Sequence, residues 1–220
     1  MKNLDDSKLF TPYQMGPVTL RNRVIRSAAF ESMGKDFGPT QDLKEYHTSV
    51  ARGGVGMTTL AYASINRSGV SFNSQLWLRD EIVPQLRDIT EAVHNEGAAV
   101  GIQIGHCGNM THWSTAGSFP VSASNGFNLY SPTFHRRMSH TEIAQTAKDF
   151  GKAVYTAREA GFDSVEVHAG HGYLISQFLS PWTNRRRDEY GGSLENRMRF
   201  MKMCFTSTAI LHCADRKSVV

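Results

Sequence analysis

Cysteine, net charge and long apolar runs are all scarce in this sequence of 220 residues. Three cysteines, Cys107, Cys204 and Cys213, form no C-x-x-C pair and leave an odd count, so no disulfide framework is indicated. A reducing, cytoplasmic location is the expectation. The formal charge is only +4, too small an excess for a nucleic-acid surface unless it clusters. The one basic run, Arg185 to Arg187, is followed at once by Asp188 and Glu189 and reads as a solvated loop. No stretch approaches the ~20 apolar residues of a membrane-spanning helix. Met1 to Lys8 is polar and lacks the apolar segment of a secretion signal. Repeats and low-complexity tracts are also missing. These gaps argue against nucleic-acid and membrane partners. What is there, 40% hydrophobic and 20% charged residues, is the mix of a globular domain with one substantial core.

Four apolar runs have strand length: Val24 to Ser27, Val55 to Tyr62, Ala98 to Ile104 and Ser164 to His168. Near-continuous apolarity marks strands covered on both faces. Helical patterns lie between them. Thr40 is placed to cap a helix through Leu43, Tyr46, His47 and Val50 that Gly53 ends. Asp80 precedes a stripe of Ile82, Leu86, Ile89 and Val93, with Gly97 at its end. Ser139 and Glu142 form a capping box ahead of Ile143, Ala147, Phe150, Val154 and Ala157, and Gly161 stops that helix. Strand and helix in alternation predict an α/β fold with a parallel sheet. Long segments follow the second and third strands, Ser64 to Arg79 and Gly105 to Arg137. In a (β/α)8 barrel such segments build the active site. Barrel and open sheet both fit this pattern.

Chemistry concentrates in Ser164 to Phe200. A strand ends at His168, and the chain then turns through Gly170 and Gly172, gathering His168, His171 and Tyr173. Two imidazoles there can donate to one oxygen that carries developing negative charge, and a phenol can supply a proton. Such a set suits reduction of a carbonyl-conjugated double bond. H-x-x-H can also be a metal pair, or two structural histidines bonded to backbone, and Tyr173 alone can be a packing residue.

The stretch HAGHGYLISQFLSPWTNRRRDEYGGSLENRMRF resembles the most recognisable segment of the Old Yellow Enzyme family, the NADH:flavin oxidoreductases. LFTPYQMGPVTLRNRVIRSA (Leu9 to Ala28) and GIQIGHCG (Gly101 to Gly108) are similar to two further family segments, in the family's order, so the likeness covers about Leu9 to Met203. It implies an eight-stranded (β/α)8 barrel that holds FMN at its carboxyl mouth, with NADH or NADPH as reductant and a small enone-type molecule as substrate. Carried over by residue, Ser27, Ala28, Ala29 and Phe30 would contact the flavin through backbone groups. Tyr62 would stand at a flavin-contact position, and Gln103 would bond the flavin's pyrimidine edge. His168, itself beside the cofactor, and His171 would grip the substrate's activating oxygen, and Tyr173 would donate the proton. No metal is implied. His106 matches a family position and is read as structural. Asp188, Glu189 and Arg197 are expected to be paired within the protein.

Some positions depart from the family pattern. Ala28 and Ala29 stand where many members have proline and then methionine or leucine. Phe30 stands where many carry a threonine or cysteine that bonds the flavin, and Asn109 replaces a common arginine. The resemblance also implies that about four of eight β/α units are present, within residues 1–204. Residues 205–220 read as an aberrant tail: Thr206, Ser207 and Thr208 interrupt the apolar stripe. The last six residues, from Asp215 to Val220, back-translate to the start of a common sequencing adapter. An FMN-dependent ene-reductase, inactive as a fragment, is the expectation. The alternatives are a catalytically dead half-barrel, with oligomers possible, and a metal-dependent hydrolase built on His168 and His171.

Overall fold

The structure, a computed structural model, describes residues 7–213, with side chains described as far as Ala209. After a 3-10 turn at Lys8–Phe10, β1 (Tyr13–Met15) and β2 (Val18–Leu20) pair as an antiparallel hairpin. Then come β3 (Ile25–Arg26), α1 (Gln41–Arg52), β4 (Met57–Ser64), α2 (Val83–Asn95) and β5 (Ala99–Gly105). A short helix α3 (Trp113–Ala116) leads to β6 (Val121–Ser122), β7 (Gly126–Asn128) and β8 (Thr133–Arg137). The chain finishes with α4 (His140–Glu159), β9 (Ser164–Val167), α5 (Leu174–Leu179) and α6 (Leu194–Cys213).

Four strands form one parallel sheet in the order β3-β4-β5-β9. These are the four runs read from the sequence. β4 is buried along its whole length and β5 at all but Gln103, and helices cover their outer face. Leu60, Ile102 and Ile104 pack with Leu86, Ile89 and Val93 of α2 and Ile143, Phe150 and Val154 of α4 in one core. Each such buried side chain contributes roughly 1.5–3 kcal/mol. The β1–β2 hairpin closes the amino end of the sheet: Leu20 packs with Met57 and Ala99, the first residues of β4 and β5. β3 and β9 are the sheet's two edges among the described residues.

Helix caps follow the sequence in detail. Thr40 accepts from the Leu43 N–H, and both halves of the Ser139–Glu142 capping box form. One stop signal is displaced. Gly53 keeps right-handed backbone, and the left-handed residue that turns the chain is Gly54, φ 97°. Asp80 opens a 3-10 turn that runs into α2 without a side-chain cap. β4 carries one more residue than β5 between Leu60 and Ala63, a β-bulge at Ala61 and Tyr62.

Two readings at the carboxyl end meet the structure. First, Thr206 to Thr208, which interrupt the apolar stripe, lie within a continuous helix. α6 continues to Cys213, and Thr208 is buried with its hydroxyl donating to the Phe205 carbonyl, a polar group satisfied inside the helix. The boundary drawn at residue 204 falls within α6, and the six residues read as translated adapter lie outside the described residues. Second, the basic run is not a solvated loop at its centre. Arg186 is 4% exposed and donates to the carbonyls of Ala123 and Met138 and to both oxygens of Asp188. It thereby ties the segment after α5 to β6 and β8. Burial opposes the Asp188 charge, but hydrogen bonds from Arg186 and His140 outweigh it and hold the carboxyl well below its ordinary range. Glu189 lies 3.6 Å from His140, and Arg197 donates to the Leu179 and Gly192 carbonyls instead of to a carboxylate.

Candidate active site at the carboxyl end of the sheet

β9 ends at Val167, and the next turn places His168 beside the carboxyl end of β5, its N–H donating to the Ile104 carbonyl. His171 then adopts left-handed backbone (φ 53°), followed by Gly172 (φ 69°). Left-handed backbone at a non-glycine residue costs roughly 1–2 kcal/mol. Here it folds His171 back until its Nδ1 is 3.1 Å from His168 Nε2. The Tyr173 ring lies 5.0 Å from that of His168 and 5.1 Å from that of Tyr62. The three residues singled out in this stretch are therefore one cluster.

Burial is the main influence on protonation in this cluster. Burial lowers the His168 pKa, and the neighbouring His171 lowers it further against a smaller pull from Glu166. A neutral His168 can offer one N–H to a ligand oxygen. Burial raises the Tyr173 pKa above the ordinary 10.0, so its phenol stays protonated at neutral pH.

Tyr62 is placed by the bulge in β4. Its hydroxyl is 2.7 Å from Ser71 Oγ and also faces the Gly69 carbonyl, and Gln75 donates to its backbone oxygen. The phenol is thus used internally, and the ring forms a wall behind His168 and Tyr173. Burial raises its pKa well above 10.0.

Gln103 and Glu166 are cross-strand partners on β5 and β9, and the glutamine amide donates to the Glu166 carboxylate at 2.5 Å. Glu166 was not flagged from the sequence, although its position two residues before His168 puts both on one face of the strand. Ser27 to Phe30 follow β3, and Phe30 stacks on Phe72 with ring centroids 5.0 Å apart. Among the described residues the N–H groups of Ala28, Ala29 and Phe30 make no hydrogen bond. A half-exposed amide on β5 and a row of open backbone donors in the segment after β3 suit the polar edge of a flavin ring in chemistry. Glu31, also not flagged, braces this segment. Its buried carboxylate lies 2.7 Å from Arg26 and 3.2 Å from His47 and accepts from Ala61 N–H at the bulge.

Among the described residues no third histidine, cysteine or carboxylate joins His168 and His171 in a metal-like group. The Cys107 thiol is buried and pushed up to about 12, and burial pushes Cys204 up as well, so neither is a nucleophile at neutral pH.

His106 is structural in a way that can be measured. It is 2% exposed, its Nδ1 accepts from the Gly108 N–H, and its Nε2 faces Ser68 Oγ. Burial pushes its pKa from 6.5 down to about 4. The unfolded chain therefore binds a proton that the folded chain refuses between these two values. Stability should fall as pH drops from about 6.5 towards 4, by roughly 3 kcal/mol from this group. Urea unfolding followed across that range should show a flatter profile in His106→Asn. An unchanged slope would assign the proton to another group.

The model of the NADH:flavin oxidoreductase / NADH oxidase family matches residues 8–206. The chain belongs to this family. It is 36% identical over 192 residues to the 4,4'-dithiodibutanoate disulfide reductase of Rhodococcus erythropolis, covering 87% of this chain and 48% of that protein. It is 37% identical over 198 residues to the NADPH dehydrogenase of Bacillus subtilis, covering 89% and 58%. Its fold superposes on the Old Yellow Enzyme homologue of Zymomonas mobilis with a TM-score of 0.86 at 30% identity, covering 93% of this chain and 60% of that one. This family member thus spans about half the length of the curated relatives it matches. The family is one of FMN proteins, and the parallel α/β sheet is that of the family's (β/α) barrel. No helix among the described residues is long and apolar enough to cross a membrane.

Proposed function

We propose that this chain carries the substrate-activating half of an ene-reductase, acting on the C=C bond of an α,β-unsaturated carbonyl. The observation that carries this reading is the approach of His168 Nε2 and His171 Nδ1 to 3.1 Å beside the Tyr173 phenol. Two nitrogens that converge so closely can both turn to one oxygen. That matches a carbonyl becoming an enolate better than it matches a packed core.

FMN, when bound, supplies hydride drawn from NADH or NADPH. The chain's residues do the rest. Gln103 and the Ala28 to Phe30 backbone hold the polar ring edge, with Glu166 fixing the Gln103 amide. His168 and His171 hold the substrate oxygen, and Tyr173 protonates the carbon next to the carbonyl. Phe30 has neither hydroxyl nor thiol, so it tunes the cofactor by no hydrogen bond from its side chain.

The experiment is a titration of FMN-loaded protein with a phenol, which mimics the enolate, followed by turnover on an enone. Each neutral hydrogen bond is worth about 0.5–1.5 kcal/mol. The His168→Ala, His171→Ala double variant should therefore bind the phenol roughly tenfold or more weakly and turn over more slowly. Parental affinity and parental turnover together would remove the oxygen-gripping role.

A second reading, a half-barrel that holds no flavin by itself, is favoured by the two unpaired sheet edges, β3 and β9, and by the exposed Glu166 side. Flavin absorbance of the purified 220-residue chain separates it from the first.

A further inference from the structure

Behind the Tyr173 phenol the chain buries three further polar side chains, Tyr62, Ser71 and Gln75. A wall that only packed would need no polar groups, and each one that is buried must find a partner. Here all three do. Ser71 Oγ and the Tyr62 hydroxyl are 2.7 Å apart, the Ser71 N–H donates to Gln75 Oε1 at 2.7 Å, and Gln75 Nε2 donates to the Tyr62 carbonyl at 3.1 Å. These bonds join the end of β4 to the loop that follows it. The segment after β5 fixes the same loop from another side. The Cys107 N–H donates to the Gly69 carbonyl, and Thr111 Oγ1 donates to the Val70 carbonyl at 2.7 Å. Gly69 permits this approach, since a Cβ there would lie 2.6 Å from Ser64 Oγ and 2.8 Å from the His106 ring. Ser71 is therefore held through its backbone, and its hydroxyl has a fixed place.

Tyr173 stands at the start of α5, and its ring meets the Tyr62 ring at 5.1 Å. Its phenol faces the Ser71 hydroxyl and the Tyr62 phenol. Burial raises its pKa, Ser71 draws it back, the nearby Cys107 raises it, and Tyr62 draws it back by less. The other titratable rings beside it are those of His168 and His171, 5.0 and 6.3 Å away. Hydroxyl directions then follow from counting protons. A phenol that gives its proton to carbon cannot also spend it on a neighbour, so it must accept from the protein side. Once the proton has left, the phenolate can only accept. Tyr62, at 2.7 Å, can donate to Ser71 Oγ, which frees the Ser71 hydrogen for the Tyr173 oxygen.

We infer that Ser71 is a positioning residue for the proton transfer, donating to the Tyr173 oxygen while Tyr62 donates to Ser71, so that the Tyr173 proton points out to the substrate. The inference rests on the reductase reading for the identity of the carbon that is protonated. In that step the Tyr173 O–H bond breaks and a C–H bond forms at the carbon next to the carbonyl. The enolate's electron pair makes the new bond, and the negative charge passes to the Tyr173 oxygen. The bond from Ser71 strengthens there, because a charged acceptor holds a donor more tightly than a neutral one. Water then returns a proton to the phenolate.

The test uses the flavin-free 220-residue chain with its tyrosines replaced by 3-fluorotyrosine, whose more acidic phenol titrates at lower pH, followed by fluorine NMR. The Tyr173 resonance is the one lost in Tyr173→Phe. Ser71→Ala should raise its titration by about one pH unit, a roughly tenfold loss of acidity for one hydrogen bond to an anion. Ser71→Thr keeps a hydroxyl and should restore the titration. Ser71→Cys, close in shape but a weak donor, should move it part of the way, and it answers the question should circular dichroism show the alanine variant unfolded. In the FMN-loaded protein the ratio of enone to quinone reoxidation rates should fall about tenfold in Ser71→Ala. A titration that stays in place, a displacement that Ser71→Thr leaves uncorrected, or an unchanged rate ratio would each overturn the inference. The titration contains no flavin, nicotinamide or enone. Its failure therefore removes Ser71 and leaves the reductase reading standing, whereas failure of the double-histidine experiment leaves the bond from Ser71 to Tyr173 standing.

Discussion

In the FMN-loaded enzyme, Tyr173→Phe is expected to slow reoxidation by an enone by about 10²–10⁴-fold, the usual contribution of a positioned general acid. The phenol stands against His168 and Tyr62, and burial keeps it protonated. Loss of one oxygen barely alters ring volume, so packing against both neighbours should persist. Bleaching by NADPH should keep close to its original rate. Reoxidation by a quinone, which needs no proton at carbon, should be spared as well. Stopped-flow absorbance resolves these processes. Equal slowing of all of them, or of none, would make Tyr173 a packing residue and move the proton source elsewhere.

The largest stability effect is expected at Arg186→Ala. The guanidinium side chain is 1% exposed and makes four hydrogen bonds, two to Asp188 and one each to the Ala123 and Met138 carbonyls. Truncation leaves a carboxylate and two carbonyls without their donor. Breaking one side of a buried pair costs about 3–5 kcal/mol, and Asp188, with 24% of its side chain exposed, places this site at the lower end. Gly191 narrows the remedy, because a Cβ there would lie 2.3 Å from the Arg186 carbonyl, so the turn cannot refill around a lost side chain. Urea denaturation should show the midpoint falling sharply. A shift below about 1 kcal/mol would mean that Asp188 finds water or His140 sufficient.

The sequence made β4 and β5 legible because both of their faces are buried, and burial on both faces writes itself as unbroken apolar runs. Caps were legible because Thr40 and Ser139 act on N–H groups three residues away. What escaped was whatever depends on distant partners or little burial. β1, β2, β6 and β7 are two or three residues long. Phe127 and Phe134 pair with each other in exposed positions, so no alternation of burial marks their hairpin. Arg186 looked like one of three equivalent arginines, since the carbonyls that bury it lie 48 and 63 residues away. At the site, His168, His171 and Tyr173 could be gathered from one short turn. Glu31, Ser71 and Glu166 acquire their roles only when β4 and β5 bring other segments beside them.

The extra residue in β4 sets a rule for which length changes this protein can accept. Below Leu60 the strand keeps phase with β5, and beyond Ala63 it resumes phase one residue later. Removing Ala61 or Tyr62 would shorten no loop. It would leave Ala63 opposite Ile104 and abolish the bulge, and with it the placement of Tyr62 behind His168 and Tyr173. Ser64 holds the following loop by accepting from Leu78 N–H and donating to the Leu76 carbonyl, so the damage would fall on the site wall and not on that loop. Insertions and deletions should therefore be tolerated in the exposed hairpin tip at Leu129 and Tyr130 and rejected at this single point, where chain length acts as a form of geometry.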